Sequence, residues 1–445
     1  MLRAVPGLSV TERDHATLLG SPIGTASGIQ NTILKRTKSL QTLGSRLQLL
    51  RAHDAFCLLR NALAIPKVLY ILRTSPCFLV PALHDFDSLL RSLLGTILNV
   101  NLSDSAWTQA SLPVRAGGLG VRSTTQLAPS AYLASAAGCA QLVQRILPQR
   151  LLNSPFPAAT EALVVWQQGH KEPTPCAPDS SHQKAWDGPV VTAAAEALMR
   201  EAPDELAQAR LLASQRRESG EWLYAPPMSA IGLRMDDEVL RVAVGLRLGV
   251  TLCRPHKCHQ CGAEVNHLGL HGLSCRRSQG RHPRHAAVND LLKRSLASAK
   301  IPSLLEPTGI ARSDGRRPDG ISVMPWRNGR TLIWDATCPD TFAPSHVALA
   351  AREAGLVASQ AEKAKTQKYA FLGSSHHFVP IAIETSGVFG PEAITFIKEL
   401  GHRIRAETGE PRSLQFLMQG IAVAVQRGNA AAVRGTSPPT DNGFI

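Results

Sequence analysis

Three carboxylates and two lysines stand in an order that suits metal-dependent cleavage of a phosphodiester. Glu306 ends a short predicted strand, Asp319 follows a proline at the entry to a second strand, and Asp335 lies within a third. This chemistry needs two or three carboxylates that converge on Mg²⁺ and a cation near the attacking water. Lys365 and Lys368 lie three residues apart on one face of a predicted helix. The order predicts a Mg²⁺ site of the three carboxylates, with either lysine as the catalytic cation.

The predicted secondary structure is able to position these residues. Hydrophobic periodicity predicts helices at 285–299 and 345–371 and strands at 301–305, 330–337 and 378–384, with a turn at 316–319 that enters a further strand. Gly329 turns the chain back, so Asp319 and Asp335 lie on adjacent strands of one hairpin. Taken singly, Asp319 is explained as a turn residue and Asp335 as the end of a strand. The ordered set of acidic and basic residues favours the metal site.

A second group of side chains suits zinc. The segment reads Cys258-x2-Cys261-x9-His271-x3-Cys275. Zinc takes four ligands in a tetrahedron, and a Cys-x2-Cys turn supplies two thiolates to one ion. The structural alternative is a coincidental cluster in a histidine-rich loop. Spare donors leave the ligand set open, namely Cys253, His256, His259 and His267.

The charge of the chain indicates a polyanionic partner. The net charge is +14, and residues 253–330 hold 14 Lys/Arg against 5 Asp/Glu. A solvated basic face without a ligand is the alternative. Basic side chains around the cysteine cluster and the carboxylates are expected to contact nucleic acid. The candidates are Arg276, Arg277, Arg281, Arg284, His285, Arg316 and Arg317.

The cysteines and the N-terminus bear on the compartment. Five of the nine cysteines are scattered, and the first residues lack the apolar core of a secretion signal. No stretch approaches the ~18 consecutive apolar residues of a membrane span. We therefore expect a soluble intracellular protein without membrane contact.

The chain is predicted to be multidomain, with a mostly α N-terminal half, a small zinc knuckle and an α/β domain. The predicted parts are helices at 1–150, a flexible linker at 151–190, helices at 191–252, the knuckle at 253–283, the α/β domain at 284–428 and a disordered tail at 429–445.

These motifs resemble a known family. The order of the Cys/His cluster, Arg284-His285 with Asn289, Glu306, the aspartates and the lysines with Tyr369 is similar to the restriction-like endonuclease region of site-specific non-LTR retrotransposons. In that family a CCHC zinc knuckle precedes a PD-(D/E)xK nuclease whose lysine has moved to the following helix. Such a move would account for Thr337, which stands where Asp/Glu-x-Lys places lysine. The resemblance covers about 255–390.

The resemblance implies the fold and the roles of the residues. It implies a restriction-endonuclease-like domain in which Glu306, Asp319 and Asp335 bind Mg²⁺ and Lys365 or Lys368 assists the nucleophile. It implies that structural zinc is held by Cys258, Cys261, His271 and Cys275. The implied activity is a nick in target DNA whose 3′-hydroxyl primes reverse transcription of the element's RNA, and this substrate implies the nucleus.

The upstream half resembles the thumb and linker that follow the polymerase in such elements. A polymerase palm needs a Tyr/Phe-x-Asp-Asp hairpin, whereas Asp236-Asp237 lies in an amphipathic helical pattern. We therefore expect a fragment of a reverse transcriptase polyprotein that lacks the palm. Two alternatives stay open: a catalytically inactive nucleic-acid-binding remnant of the element, and a structural remnant without biochemical activity.

Overall fold

The computed structural model describes residues 12–23, 25–148, 157–168, 170, 172–278, 280–310, 317–373 and 375–437. Most of these residues are α-helical, and a small mixed sheet and a Cys/His cluster lie in the second half of the chain. This arrangement is consistent with the predicted mostly α, multidomain layout.

Helices follow one another over the first 250 residues. A short hairpin of β1 (Thr17–Leu18) and β2 (Ser21–Pro22) precedes them. They are α1 (Ala26–Leu47), α2 (Ala52–Leu58), α3 (Leu69–Thr74), α4 (Ala82–Leu98), α5 (Asp104–Ser111), α6 (Thr124–Ile146), α7 (Pro157–Gln167), α8 (Gln183–Arg200), α9 (Glu205–Gln215) and α10 (Asp237–Leu248).

The helix α4 illustrates why this region folds. Its apolar residues recur three and four apart, so that Leu83, Phe86, Leu90 and Leu94 are all buried on one face. Burial of such side chains stabilises the fold by about 1.5–3 kcal/mol each. Asp87 stands among them because its carboxylate accepts the Thr124 backbone N–H at 2.7 Å and so caps α6.

The predicted flexible linker contains ordered structure. The helix α7 and the start of α8 both lie within 151–190. Trp166 is 2% exposed and donates its indole N–H to the Trp186 carbonyl at 2.8 Å, and Trp186 is 4% exposed. The two tryptophans were the signal that the sequence prediction overlooked, since large aromatic side chains are mostly buried. Residues 149–156 lie outside the described residues.

A mixed sheet forms the centre of the C-terminal region. Its strands run in the order β5 (Ser303–Leu305), β6 (Gly320–Arg327), β7 (Arg330–Thr337) and β8 (His377–Ala382). The pairs β5–β6 and β6–β7 are antiparallel, and β7–β8 is parallel. The surrounding helices are α12 (Arg281–Ser298), α13 (Val347–Arg352), α14 (Leu356–Lys368), α15 (Pro391–Thr408) and α16 (Ser413–Arg434).

Two short elements precede the sheet region. A hairpin of β3 (His256–Lys257) and β4 (Glu264–Val265) is followed by the short helix α11 (His271–Ser274). The long helix predicted at 345–371 is in fact two helices, α13 and α14. Gly355 separates them with a φ of +95°, a conformation that a helix interior does not contain.

The helix α16 connects regions that the sequence analysis treated as separate domains. Its side chains enter three apolar cores, which are those of the N-terminal helices, of the sheet and of a smaller cluster with α10 (Asp237–Leu248) and Leu273. The residues are Ala422 and Val423 in the first core, Leu417, Ile421 and Val425 in the second, and Ala430, Ala432 and Val433 in the third. The predicted tail at 429–445 therefore begins too early, because α16 continues to Arg434. Residues 438–445 lie outside the described residues.

One helical stretch, Ala52–Thr74, is long and apolar enough to qualify as a membrane span by length and composition alone. It consists of α2, a π-helical turn and α3, and residues such as Phe56, Leu59 and Leu72 are buried in the helical core. This packing agrees with the expectation of a soluble protein.

Candidate functional site

The two predicted aspartate ligands lie opposite each other on adjacent strands. The register of β6 with β7 pairs Gly320 with Trp334. Continued by one residue, it places Asp319 opposite Asp335, with both side chains on one face. A Cβ atom at Gly320 would lie 2.1 Å from the Trp334 ring. Glycine at this position therefore lets the strand pass beside the indole and keeps the aspartates in register.

Lys365 joins the aspartates and Lys368 does not. The Lys365 Nζ donates to Asp335 Oδ2 at 2.7 Å, and the two side chains are 18% and 13% exposed. Lys368 is exposed at the end of α14. The structure thus distinguishes between two lysines that the sequence left as equal candidates.

The backbone of Glu306 lies beside that of Asp319, whereas the Glu306 side chain is exposed to solvent. Its N–H donates to the Asp319 carbonyl at 2.9 Å, which continues the β5–β6 pairing. However, its φ is +48° and its side chain is exposed. Among the described residues, the one group of three or more acidic, cysteine or histidine side chains with ligand atoms within 4.8 Å of one another is the Cys/His cluster, so Glu306 forms no such group with Asp319 and Asp335. A non-glycine residue in this conformation is uncommon and marks local strain.

Asp319 is held by the backbone of β7 and by α12. Its Oδ2 accepts the Ala336 N–H at 2.6 Å and lies 3.0 Å from His285 Nε2. Burial raises the pKa of Asp319, but the hydrogen bond and charge of His285, together with the hydrogen bonds from Ala336 and Asn289, outweigh burial, so the pKa lies below its ordinary value. The same hydrogen bond raises the pKa of His285 above its ordinary value. His285, predicted to contact nucleic acid, is thus part of the carboxylate site.

The pKa of Asp335 is subject to opposing effects. Burial raises its pKa, the Lys365 charge lowers it, and the neighbouring Asp319 raises it again, so the pKa lies above its ordinary value. Burial and the neighbouring Asp319 both disfavour the charged form of Asp335, and a nearby cation favours it. The side chains of Asp319 and Asp335 offer oxygen donors of the type that Mg²⁺ takes in proteins.

Two buried glutamates fix the helix that carries Lys365. At the start of α14, the Ala358 N–H donates to Glu384 Oε1 at 3.1 Å. Within α14, Glu362 accepts the Ala393 N–H at 2.9 Å and the Glu392 N–H at 3.1 Å, and so caps α15. Glu362 stands one helical turn before Lys365. Glu384 ties the start of α14 to the segment after β8, and Glu362 ties α14 to the start of α15. These contacts fix the position of Lys365.

The burial of Glu362 predicts a pH-dependent stability. Burial raises its pKa from 4.5 to about 7. Because the folded-state pKa exceeds the unfolded one, the stabilising contribution is complete below about pH 4.5 and is lost as the pH rises through about 7. We expect the free energy of unfolding to fall by up to about 3 kcal/mol across this range. Urea denaturation at a series of pH values measures this loss.

The Glu362→Gln variant removes the titrating group and should flatten this pH profile. Glu407→Gln, a substitution of an exposed glutamate on α15, is the control and should keep the wild-type slope. Equal slopes in wild type and Glu362→Gln would contradict the assignment.

The predicted zinc ligands converge. Single ligand atoms of Cys258, Cys261, His271 and Cys275 all lie within 4.8 Å of one another, so these residues could hold a metal ion. Cys261 Sγ lies 3.1 Å from His271 Nε2 and 3.7 Å from Cys275 Sγ. A Cys3His donor set with a Cys-x2-Cys turn is suited to tetrahedral zinc.

Two of the spare donors are occupied elsewhere. The Cys253 thiol donates to the Asn266 carbonyl at 3.3 Å. His256 contacts the Arg254 carbonyl and the Thr436 hydroxyl through its two ring nitrogens. Among the described residues, neither these two nor His259 and His267 join the cluster. The geometry thus selects the four ligands that the spacing favoured.

The cysteine cluster is docked against α16. A Cβ atom at Gly272 would lie 2.4 Å from the Ala432 carbonyl oxygen. Leu273 is buried with Val433 in the core of this region. The absence of a side chain at Gly272 therefore allows close contact between the backbones of α11 and α16.

The predicted phosphate-contacting residues divide by burial. Arg276, Arg277 and Arg281 are exposed beside the cysteine cluster, and Arg317 is exposed beside Asp319. Arg284 requires a correction, because it is 2% exposed and donates to Asn429 Oδ1 at 2.7 Å within the core. It cannot face a phosphate at the surface. Arg316 lies outside the described residues.

Other residues with proposed roles have plain structural contacts. The Tyr369 hydroxyl donates to the Arg317 carbonyl at 3.3 Å, which ties the end of α14 to the segment before Asp319. Asp236 is the residue before α10, and Asp237 accepts the Ala52 N–H at 2.9 Å. The Asp-Asp pair therefore begins a helix, as its amphipathic pattern predicted.

The capping roles of Glu362 and Glu384 were not predicted from the sequence. A glutamate directly after an apolar strand was a usable signal for Glu384, because buried carboxylates require donors.

Comparison with known proteins adds no family assignment: no protein-family model matches the chain, and no curated protein matches it.

Proposed function

We propose that this protein is a Mg²⁺-dependent DNA endonuclease that nicks one strand of a duplex. The observation that carries the proposal is the juxtaposition of Asp319, Asp335 and Lys365 at the ends of two strands, with the lysine Nζ 2.7 Å from Asp335. Two carboxylates and an ammonium group are the donor set that metal-dependent phosphodiester cleavage requires.

Each side chain has a distinct role in the proposal. Asp319 and Asp335 would hold the cation, and Mg²⁺ accepts so small a protein ligand set because it keeps waters and substrate oxygens. The bound cation would polarise a phosphate oxygen and offset the charge that develops during cleavage. Lys365 would donate a hydrogen bond to the attacking water or the scissile phosphate. Glu306 is left outside this minimal set because its side chain is exposed.

The DNA would lie along the exposed arginines. Arg276, Arg277 and Arg281 are close in sequence to the start of α12, and His285 lies one helical turn further along it. Four helical residues span about 6 Å, so Arg281 is near enough to the carboxylates for contact with a neighbouring phosphate. Charge neutralisation there would make binding depend on salt.

The wider role follows from the motif order. Its resemblance to retrotransposon endonuclease regions favours a nuclear enzyme whose nick primes reverse transcription of an element RNA, as part of a reverse transcriptase polyprotein. The alternative is a catalytically inactive nucleic-acid-binding remnant, which the exposed arginines alone would also support.

A plasmid-nicking assay tests the proposal. Supercoiled DNA is incubated with zinc-loaded protein and Mg²⁺, and relaxed circles are quantified. We expect nicking by the wild type and loss of at least about 100-fold in Asp319→Asn and Asp335→Asn. Asp290→Asn is the control, because Asp290 is an exposed carboxylate on α12 that pairs with Arg294. No nicking by folded wild-type protein would reject the enzyme and leave the binding remnant.

A further inference from the structure

A small cavity lies where the helical half of the chain meets the sheet region. Its walls are α9, α10, α16, the 3₁₀ turn Glu218–Tyr224 and the segments that follow β7 and β8. Its volume, counted for the centre of a water-sized sphere, is about 20 Å³. One bound water needs about 10–15 Å³ on this measure, so the cavity has room for one or two waters or for one halide ion.

Two arginines on the cavity wall, Arg210 and Arg247, form what we call the arginine pair. Arg210 is half-buried, and its Nη1 donates to Gln109 Oε1 at 2.6 Å and to the Arg247 carbonyl oxygen at 2.7 Å. Arg247 is 7% exposed and donates, at 2.8–3.4 Å, to the Ser219 hydroxyl and to the backbone carbonyl oxygens of Val114, Gly118, Ser214 and Ser219. All these acceptors are uncharged, and neither guanidinium forms an ion pair within the described part of the chain.

The charge of the arginine pair is therefore removed from water without a direct counter-charge. Burial lowers the pKa of Arg247 to about 9, and the nearby Arg210 charge acts in the same direction. Burial also lowers the pKa of Arg210 to about 10, which Asp204 offsets in part. Since both values lie above neutral pH, both side chains stay charged. A buried charge without a counter-charge costs free energy, and a nearby anion reduces that cost.

Two neutral N–H donors on the cavity wall lack an acceptor. Trp222 is 2% exposed, and its indole N–H has no hydrogen-bond partner among the described residues. Gln426 is 4% exposed. Because Arg284 only donates, Asn429 accepts with its Oδ1 and donates from its Nδ2 to Gln426 Oε1 at 3.2 Å. The Gln426 amide nitrogen is left as a donor, and it too has no acceptor in the part of the chain that the structure describes.

The serine hydroxyls of the wall distinguish an anion from a water molecule less clearly than the charge does. Ser214 Oγ donates to the Leu211 carbonyl and Ser219 Oγ donates to the Arg216 carbonyl, both at 2.8 Å. Their hydrogens are thus in use, and their oxygens can accept a hydrogen bond from a water. A water, however, leaves the charge of the arginine pair unbalanced, so the electrostatics favour an anion.

We propose that the cavity is a binding site for one chloride ion. The Trp222 N–H and the Gln426 amide donate to the ion, and the arginine pair supplies the opposite charge. A halide accepts hydrogen bonds and occupies little more space than one water, whereas a tetrahedral phosphate is too large for this cavity. The ion stabilises the contact of α9 and α10 with α16, and the inference is independent of the proposed nuclease activity.

Thermal denaturation of the full-length protein tests for the ion. Sodium chloride replaces sodium gluconate stepwise at constant ionic strength, so that general screening does not change. A ligand that binds only the folded state raises the Tm in a saturable way. We expect a rise of about 1–2 °C that reaches a plateau, and sodium bromide should give the same rise.

A matched pair of glutamine variants connects the effect to the cavity. Gln426→Leu removes one donor and should abolish the saturable rise. Gln419→Leu makes the same change on the same helix, at a residue that is 1% exposed, does not line the cavity and donates to the Tyr224 carbonyl at 3.2 Å. This control should keep the rise even if its Tm is lower. Trp222→Phe, which keeps an aromatic ring and removes the other donor, should also lose the rise.

Crystals of the wild-type protein grown in sodium bromide provide the direct readout. We expect an anomalous bromine peak in the cavity, within hydrogen-bond distance of Trp222 Nε1 and Gln426 Nε2. A cavity that holds only water, with bromide confined to the surface, would overturn the inference. An unchanged saturable rise in both Gln426→Leu and Trp222→Phe would overturn it as well.

Discussion

Replacement of Lys365 by methionine is expected to reduce the DNA-nicking rate by at least about 100-fold, while the same replacement of Lys368 leaves it within about twofold. Methionine keeps the length of the side chain and removes only the charge and the donors. In the structure, Lys365 reaches Asp335 at 2.7 Å and Lys368 is exposed. The two variants make the same chemical change at two positions of one helix. A difference between their nicking rates therefore reports the position of the lysine.

The physical reason is electrostatic. An ammonium group in a partly buried site is worth more to developing negative charge than one in water, because the local dielectric is lower. Single-turnover nicking with saturating protein measures the chemical step, and filter binding to the same DNA measures affinity. The expected pattern for Lys365→Met is a slow chemical step with affinity within about threefold of wild type.

The opposite pattern would change the role of the residue. If Lys365→Met weakens binding and leaves the saturated rate unchanged, Lys365 is a phosphate contact and not a catalytic group. If Lys368→Met shows the larger rate loss, the assignment of the catalytic lysine fails. Circular dichroism and thermal denaturation of both variants establish that the overall helix content and stability are retained.

Loss of one thiolate from the cysteine cluster is the second large effect. Cys261→Ser is expected to abolish stoichiometric zinc binding, whereas Cys253→Ser should keep one zinc ion per chain. Cys253 is a matched control, because it lies nearby and is 1% exposed but contacts the Asn266 carbonyl. Zinc released by a thiol reagent and measured with a chromogenic chelator distinguishes the two variants.

The destabilisation should be local as well as large. Structural zinc contributes about 10–16 kcal/mol of apparent binding free energy in isolated zinc-finger peptides. Here part of the cluster is also held by contact with α16, so we expect a loss of at least about 2 kcal/mol in unfolding free energy. Amide exchange should accelerate in β3 and β4 and stay slow in β6 and β7. Equal zinc content in both variants would contradict the ligand set.

The sequence predicted the centre of the site well because short-range patterns determine it. Apolar alternation predicted β7 at its observed bounds of Arg330–Thr337. The Asn328-Gly329 turn has φ angles of 51° and 72°, as a tight hairpin requires. The cysteine spacing predicted which thiolates converge, because the two cysteines of a Cys-x2-Cys turn can bind one ion.

What the sequence could not predict depends on contacts between distant segments. The choice of Lys365 over Lys368 depends on the rotation of α14, which Glu384 and Glu362 fix from other elements. The exposure of Glu306 depends on a positive φ at a residue that rarely adopts it. The burial of Arg284 depends on Asn429, which lies beyond the sheet in sequence.

The position of α16 has a consequence for biosynthesis. The ribosome produces this helix after all the elements that it covers, so the core of the sheet and the smaller core with α10 and Leu273 stay incomplete until the last part of the described chain emerges. Domains normally fold one after another during synthesis. In this chain, the sheet core and the smaller core can close only after α16 is made, and nascent chains that stall before α16 should be prone to chaperone binding and degradation.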